Sequence, residues 1–107
     1  MKVDKEKANR EQFFKALLSL NTVAECIDFF EDIATEKELE AFMQRLQVAE
    51  RLLNGETYEM IELETNARSS MVSRVKRCLK KEKSGLKRVL ERLAEARDMN
   101  KPETCRN

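Results

Sequence analysis

Thr22 is followed three residues later by Glu25, and Thr35 by Glu38, each pair standing at the head of an apolar run. A threonine hydroxyl can accept a hydrogen bond from the backbone N–H three residues on, while the glutamate reaches back, so Thr-x-x-Glu marks a helix start. Two such starts so close together leave room for one short helix between them. A chain punctuated in this way has to be assembled from short helices in quick succession.

The apolar residues agree. From Gln12 the pattern is helical, with Phe13, Leu17 and Leu20 on one stripe and Phe14 and Leu18 widening it. The next helix carries Val23, Ile27 and Phe30, with Cys26, Phe29 and Ile33 on adjacent faces. Apolar contact on so many sides of a short helix predicts burial against more than a lone hairpin. The longest helix has Leu39, Phe42, Met43, Leu46, Ala49 and Leu53, and Asn54-Gly55 ends it because glycine takes a left-handed conformation without steric cost. Thr57 caps a short helix bearing Tyr58 and Ile61. Asn66-Ala67-Arg68 is a turn, and a further helix from Arg68 or Ser69 places Val72, Val75 and Leu79 on one side. Lys80 to Gly85 is a polar connector, followed by a last helix with Leu86, Val89, Leu90, Leu93 and Ala96. Residues 1–11 lack periodicity and are expected to form a mobile arm, 12–98 a single all-helical domain, and 99–107 a frayed tail.

Two glycines, one proline and 38% charged residues are the composition of a helix-rich chain with few turns. No run reaches the ~18 apolar residues that span a bilayer, and the N-terminus has no apolar signal segment. Three widely spaced cysteines, Cys26, Cys78 and Cys105, with no histidine anywhere, argue against a disulfide framework or a zinc site. The expected setting is the cytoplasm. Without histidine or a glycine-rich phosphate loop, no nucleophile, acid–base pair or metal site is identified, and the chain is not expected to be an enzyme.

A formal net charge of +1 conceals strong segregation. Between Thr22 and Asn66 twelve acids stand against Lys37, Arg45 and Arg51. Between Ala67 and Arg88 nine bases stand against Glu82 alone. One concentrated basic segment binds a polyanion while the acidic remainder is repelled, which orients the encounter.

That basic segment falls in the second of two short helices joined by a tight turn, at about 57–80, which is the minimal helix-turn-helix. In such a motif the first helix braces the second, and the second presents side chains to a major groove about 12 Å wide. Ile61, Ala67, Val72 and Val75 are spaced to pack the pair together. Arg68, Ser69, Ser70, Ser73, Arg74 and Arg77 are left facing outward, with Lys76, Lys80 and Lys81 adding charge for phosphate. Small hydroxyls permit close approach to base edges, and guanidinium forks onto guanine or phosphate.

The stretch from Thr35 to Leu93 resembles the Trp repressor superfamily, in its YerC/YecD-like branch. The resemblance is carried by Ala49-Glu50-Arg51-Leu52-Leu53-Asn54-Gly55-Glu56, by Tyr58 through Ile61, and by Val72-Ser73-Arg74-Val75-Lys76-Arg77-Cys78-Leu79. It implies an all-α, six-helix protomer in an intertwined homodimer, with the helix-turn-helix as reading head over a palindromic operator in double-stranded DNA. By family position Ser69, Ser70 and Ser73 face the bases. Glu59 and Glu62 stand where the family carries bases that assist DNA contact, so a different operator is implied. Arg45 and Arg74 match the arginines on either side of a corepressor ring, and Thr35 matches a contact to its amino group. Val75 replaces a glycine and Cys78 a serine at that pocket, which disfavours tryptophan. The expected regulator is therefore a DNA-binding repressor with a different small-molecule corepressor, such as another amino acid, or with none, and it needs no other cofactor. The competing expectation is a helical adaptor whose basic segment binds an acidic protein.

Overall fold

In the computed structural model the backbone is described over residues 2–100 and the side chains over 4–98. The elements run α1 (Lys2–Leu18), α2 (Val23–Ile33), α3 (Glu36–Leu53), α4 (Tyr58–Thr65), α5 (Ser69–Leu79) and α6 (Gly85–Asn100), with no strand among the described residues. The contacts fall into two units that divide between Leu39 and Glu40, inside α3.

The first unit opens with helix where an arm was expected. α1 begins at Lys2, and every residue from Asp4 to Lys15 is exposed. Missing apolar periodicity points to an arm, but helix does not require an apolar stripe. Lys, Glu, Ala, Arg and Gln are all good helix formers, no glycine or proline interrupts them, and Glu6 precedes Arg10 with favourable spacing. Ser19 closes α1 by donating its hydroxyl to the Ala16 carbonyl at 2.7 Å. Of the stretch read as a tail, Met99 and Asn100 continue the α6 backbone, and 101–107 lie outside the described residues.

Both Thr-x-x-Glu signals act as helix starts. Thr22 Oγ1 accepts from the Glu25 N–H at 3.1 Å, and the Glu25 carboxylate accepts from the Asn21 N–H at 2.9 Å. At α3 the box is reciprocal: Glu38 N–H donates to Thr35 Oγ1 at 3.1 Å, and Thr35 N–H to Glu38 Oε1 at 2.8 Å. The Thr35 N–H, then its hydroxyl, holds the Glu38 carboxyl below its ordinary pKa. Phe13 joins Phe29 with ring centroids 6.4 Å apart. Even so α2 buries none of its residues, and Val23 and Leu18 remain 77% and 83% exposed.

The second unit holds the core. Val48 and Ala49 from α3, Ile61 from α4, Ala67 from the turn, Val72, Val75 and Leu79 from α5 and Leu90 from α6 form one buried cluster, with Leu52, Tyr58, Met71 and Leu86 packed on it. The chain enters this unit's short helices through sharp stops. Gly55, at φ +83°, ends α3 with the Glu56 N–H bonded back to the Arg51 carbonyl and its own N–H to Leu52. That pair of bonds is a Schellman motif. Thr57 caps α4 by accepting from the Met60 N–H at 3.3 Å. Ser84, within the expected connector, is buried and caps α6 by accepting from the Lys87 N–H at 3.1 Å.

Because Ile61 is fully buried at the centre of this cluster, Ile61→Ala is expected to destabilise the protein by about 3 kcal/mol. Leu63, two residues on and 77% exposed, should tolerate alanine within about 0.5 kcal/mol. Urea unfolding of both variants checks the difference.

Candidate nucleic-acid interface

Burial of one side of α5 leaves the other side free. Val72, Val75 and Leu79 recur at helical spacing and face the core. All nine residues expected to meet DNA are exposed: Arg68, Ser69, Ser70, Ser73, Arg74, Lys76, Arg77, Lys80 and Lys81. Arg68 aside, they fall in two rows along α5 and the turn that follows it, where Lys80 and Lys81 lie. Ser69, Ser73, Lys76 and Lys80 form one, and Ser70, Arg74, Arg77 and Lys81 the other. In each row the hydroxyl end is N-terminal and the cationic end C-terminal. Small polar groups thus lead along each row and charges trail.

Arg68 is the N-cap of α5 and makes no side-chain cap hydrogen bond. The first-turn N–H groups therefore keep their positive partial charge for an external acceptor. Among the described residues the ion pairs are Arg51 with Glu56, Arg51 with Glu64, and Arg97 with Glu50, so no cation of α5 is neutralised by a carboxylate. One is partly engaged otherwise: the Lys76 ammonium lies 5.3 Å from the centroid of the Tyr58 ring. Glu59 on α4 is exposed and Glu62 half-buried, and α4 carries no base.

The turn that aims α5 is built from Asn66 in the left-handed region, at φ 59° and ψ 18°. Thr65 Oγ1 donates to the Ile61 carbonyl at 2.6 Å and accepts from the Ala67 N–H at 3.2 Å. Gln44 Nε2, from α3, donates to the Thr65 carbonyl at 2.8 Å. Arg51 Nη1 donates to Glu56 at 3.0 Å and also to Glu64, and these two hydrogen bonds raise the Arg51 pKa above its ordinary value.

Of the residues matched to a corepressor pocket, Arg45, Arg74, Val75 and Cys78 line one open cleft of about 510 Å³ on the flank of α5, with Met71 and Leu86 among its other walls. Thr35 belongs to the first unit, where it caps α3. Arg45 lies over the Phe42 ring at 5.7 Å, Val75 is 95% buried, and Cys78 is a half-buried free thiol. Sequence reasoning did not find Gln44, Arg51 or the Tyr58 platform under Lys76. Their partners lie across turns at spacings that no helical period marks.

A short helix packed by a tight turn against a second that presents hydroxyls and unpaired cations, among six described helices, is a helix-turn-helix arrangement. The comparisons then narrow the class. A profile of the Trp repressor protein family matches residues 8–94. The chain is 41% identical over 96 residues to the uncharacterized protein YerC of Bacillus subtilis (strain 168), covering 89% of this chain and 92% of that protein. Among solved structures it is similar to a TrpR-like protein from Eubacterium eligens, with 43% identity and TM-score 0.75 over 78% of this chain and 87% of the other. It is also similar to a candidate Trp repressor from Staphylococcus aureus, with 37% identity and TM-score 0.78 over 88% and 95%. The chain belongs to the Trp repressor family, a family of DNA-binding regulators.

Asn66 is the one non-glycine described residue at positive φ, so Asn66→Val is expected to cost about 1–2 kcal/mol. Asn66→Gly should leave stability nearly unchanged. Chemical denaturation of the two variants separates a conformational requirement from a side-chain one.

Proposed function

We propose that this protein is a sequence-specific transcriptional repressor that binds a palindromic operator as a homodimer and blocks a promoter by occupying it. The observation that carries the reading is the pair of rows on α5, hydroxyls leading and cations trailing, exposed and without carboxylate partners. A purely solvated basic face has no need of serines ordered at one end, nor of a second helix that props it.

In this reading Ser69, Ser70 and Ser73 approach base edges. Arg74 and Arg77 fork onto guanine or phosphate, and Lys76, Lys80 and Lys81 hold the backbone. Glu59 and Glu62 keep the bracing helix off the phosphates, so contact is confined to α5 and the turn after it. Dimerisation is supported by apolar side chains that the protomer leaves uncovered, including Phe14, Ile27 and Ile33 in the first unit and Phe42, Met43 and Leu93 in the second. Two copies would set their recognition helices about 34–36 Å apart, one turn of DNA.

Regulation is assigned to the cleft beside α5. A small molecule held by Arg45 and Arg74 there would favour one orientation of α5 by binding it better than the alternatives. Val75, nearly buried where a flat ring would need space, makes tryptophan a poor fit. In calorimetry against the twenty amino acids, with and without operator, tryptophan is expected to give no heat. Tight binding of tryptophan would refute this ligand assignment.

The DNA assignment is tested by selection from a random duplex pool, which should return a palindrome. Ser69→Ala and Ser73→Ala are expected to change the preferred sequence. Lys80→Ala and Lys81→Ala should weaken all duplexes alike, each flattening the salt slope by about 1. If the serine and lysine variants behave identically, base reading is wrong. Capture of an acidic protein without duplex binding would point instead to an adaptor.

A further inference from the structure

The bracing helix α4 has eight residues, fewer than an isolated helix needs for stability in water. It is therefore placed by what holds it. Its fully apolar anchor in the core is Ile61, with Tyr58 partly buried beside it. One such anchor resists separation but does little to fix rotation about the contact, because apolar attraction has no direction. Direction has to come from hydrogen bonds.

These come from α3, at Gln44 and Arg51, two turns apart on one face of that helix. Gln44 holds the carbonyl of Thr65 at the C-terminal end of α4. Arg51 reaches two carboxylates at once: Glu56, in the turn entering α4, and Glu64, in its last turn. One guanidinium nitrogen, Nη1, thus ties the turn entering α4 and the last turn of α4 to the same point on α3. α4 in turn packs on α5, so any tilt of α4 is passed to the helix that carries the two rows.

We propose that Arg51 is a positioning residue for sequence reading: by clasping Glu56 and Glu64 it sets the angle at which α4 presents α5, and so controls operator selection without touching DNA. The proposal rests on the DNA-reading assignment above. Arg51 is already committed to two acids, whereas the DNA-facing cations have none. Ion pairs as exposed as these, with side-chain exposures of 30% for Arg51 and 43% for Glu64, add little to global stability. Loss of the clasp is therefore read in orientation and not in folding.

The test is the double variant Arg51→Gln with Glu64→Gln, which breaks the clasp at no change in net charge, beside Arg51→Lys. Three quantities are measured on the full chain: the thermal melt, amide hydrogen exchange along α4, and the ratio of affinities for the selected operator and an unrelated duplex at one salt concentration. The double variant is expected to lower that ratio about tenfold, the scale of coupling between interacting residues. Affinity for the unrelated duplex should be unchanged, α4 amides should exchange faster, and the melt should hold. Arg51→Lys, which keeps the charge but not the guanidinium, should recover part of the ratio. An unchanged ratio in a folded double variant overturns the positioning role and leaves the repressor assignment standing. A fall in the ratio accompanied by a lost melting transition overturns it in favour of a folding defect. A wild-type chain that prefers no duplex sequence overturns both.

Discussion

Burial of Ile61 in one cluster with Val48 and Ala49 of α3 and Val72 and Val75 of α5 is the contact on which the second unit turns. With its exposure at zero, it gives the short α4 a reason to stay helical and gives Val72 and Val75 something to pack on. Once those valines are committed inward, helical geometry determines the rest of α5. The residues on the side of the helix opposite that stripe must face solvent, whatever their charge. A row of cations without acids would otherwise be a poor thing to concentrate on one helix. It is tolerable because the opposite side of the same helix is held by apolar contact and not by charge.

The charge distribution completes what packing begins. Acids crowd the sequence from Thr22 to Asn66 and bases from Ala67 to Arg88. In three dimensions the break between them falls at the Asn66 turn, so brace and presenting helix have opposite sign. A polyanion meets repulsion on one helix and attraction on the next, and only a narrow range of approaches remains favourable. The acids do a second task within the fold, since Glu56 and Glu64 are the partners of Arg51.

The first unit follows a different economy. Its helices are well capped, yet α2 buries none of its residues. A segment with this many uncovered phenylalanine, isoleucine and valine side chains has its helix ends specified locally while its apolar faces stay exposed in the protomer. This matches the general difficulty that a chain of about 100 residues has in enclosing a full core alone. The cleft on α5 is likewise lined by residues that serve more than one setting, Arg74 being exposed on the outward row as well as at the cleft.

What the amino-acid order determined by itself is everything governed by contacts within a few residues. The threonine caps at 22, 35 and 57, the glycine stop at 55, the left-handed asparagine at 66 and the inward face of α5 each depend on neighbours one helical turn away, and all were legible. Residues 2–10 are the exception, because an absent apolar stripe does not mean an absent helix where propensity alone suffices. Tertiary structure alone decided which residues meet across turns. Gln44 with Thr65, Arg51 with Glu64 and Lys76 over Tyr58 bring together positions separated by 21, 13 and 18 residues. Such pairings depend on how helices cross, and crossing is settled by the shape of a whole core that no local pattern encodes.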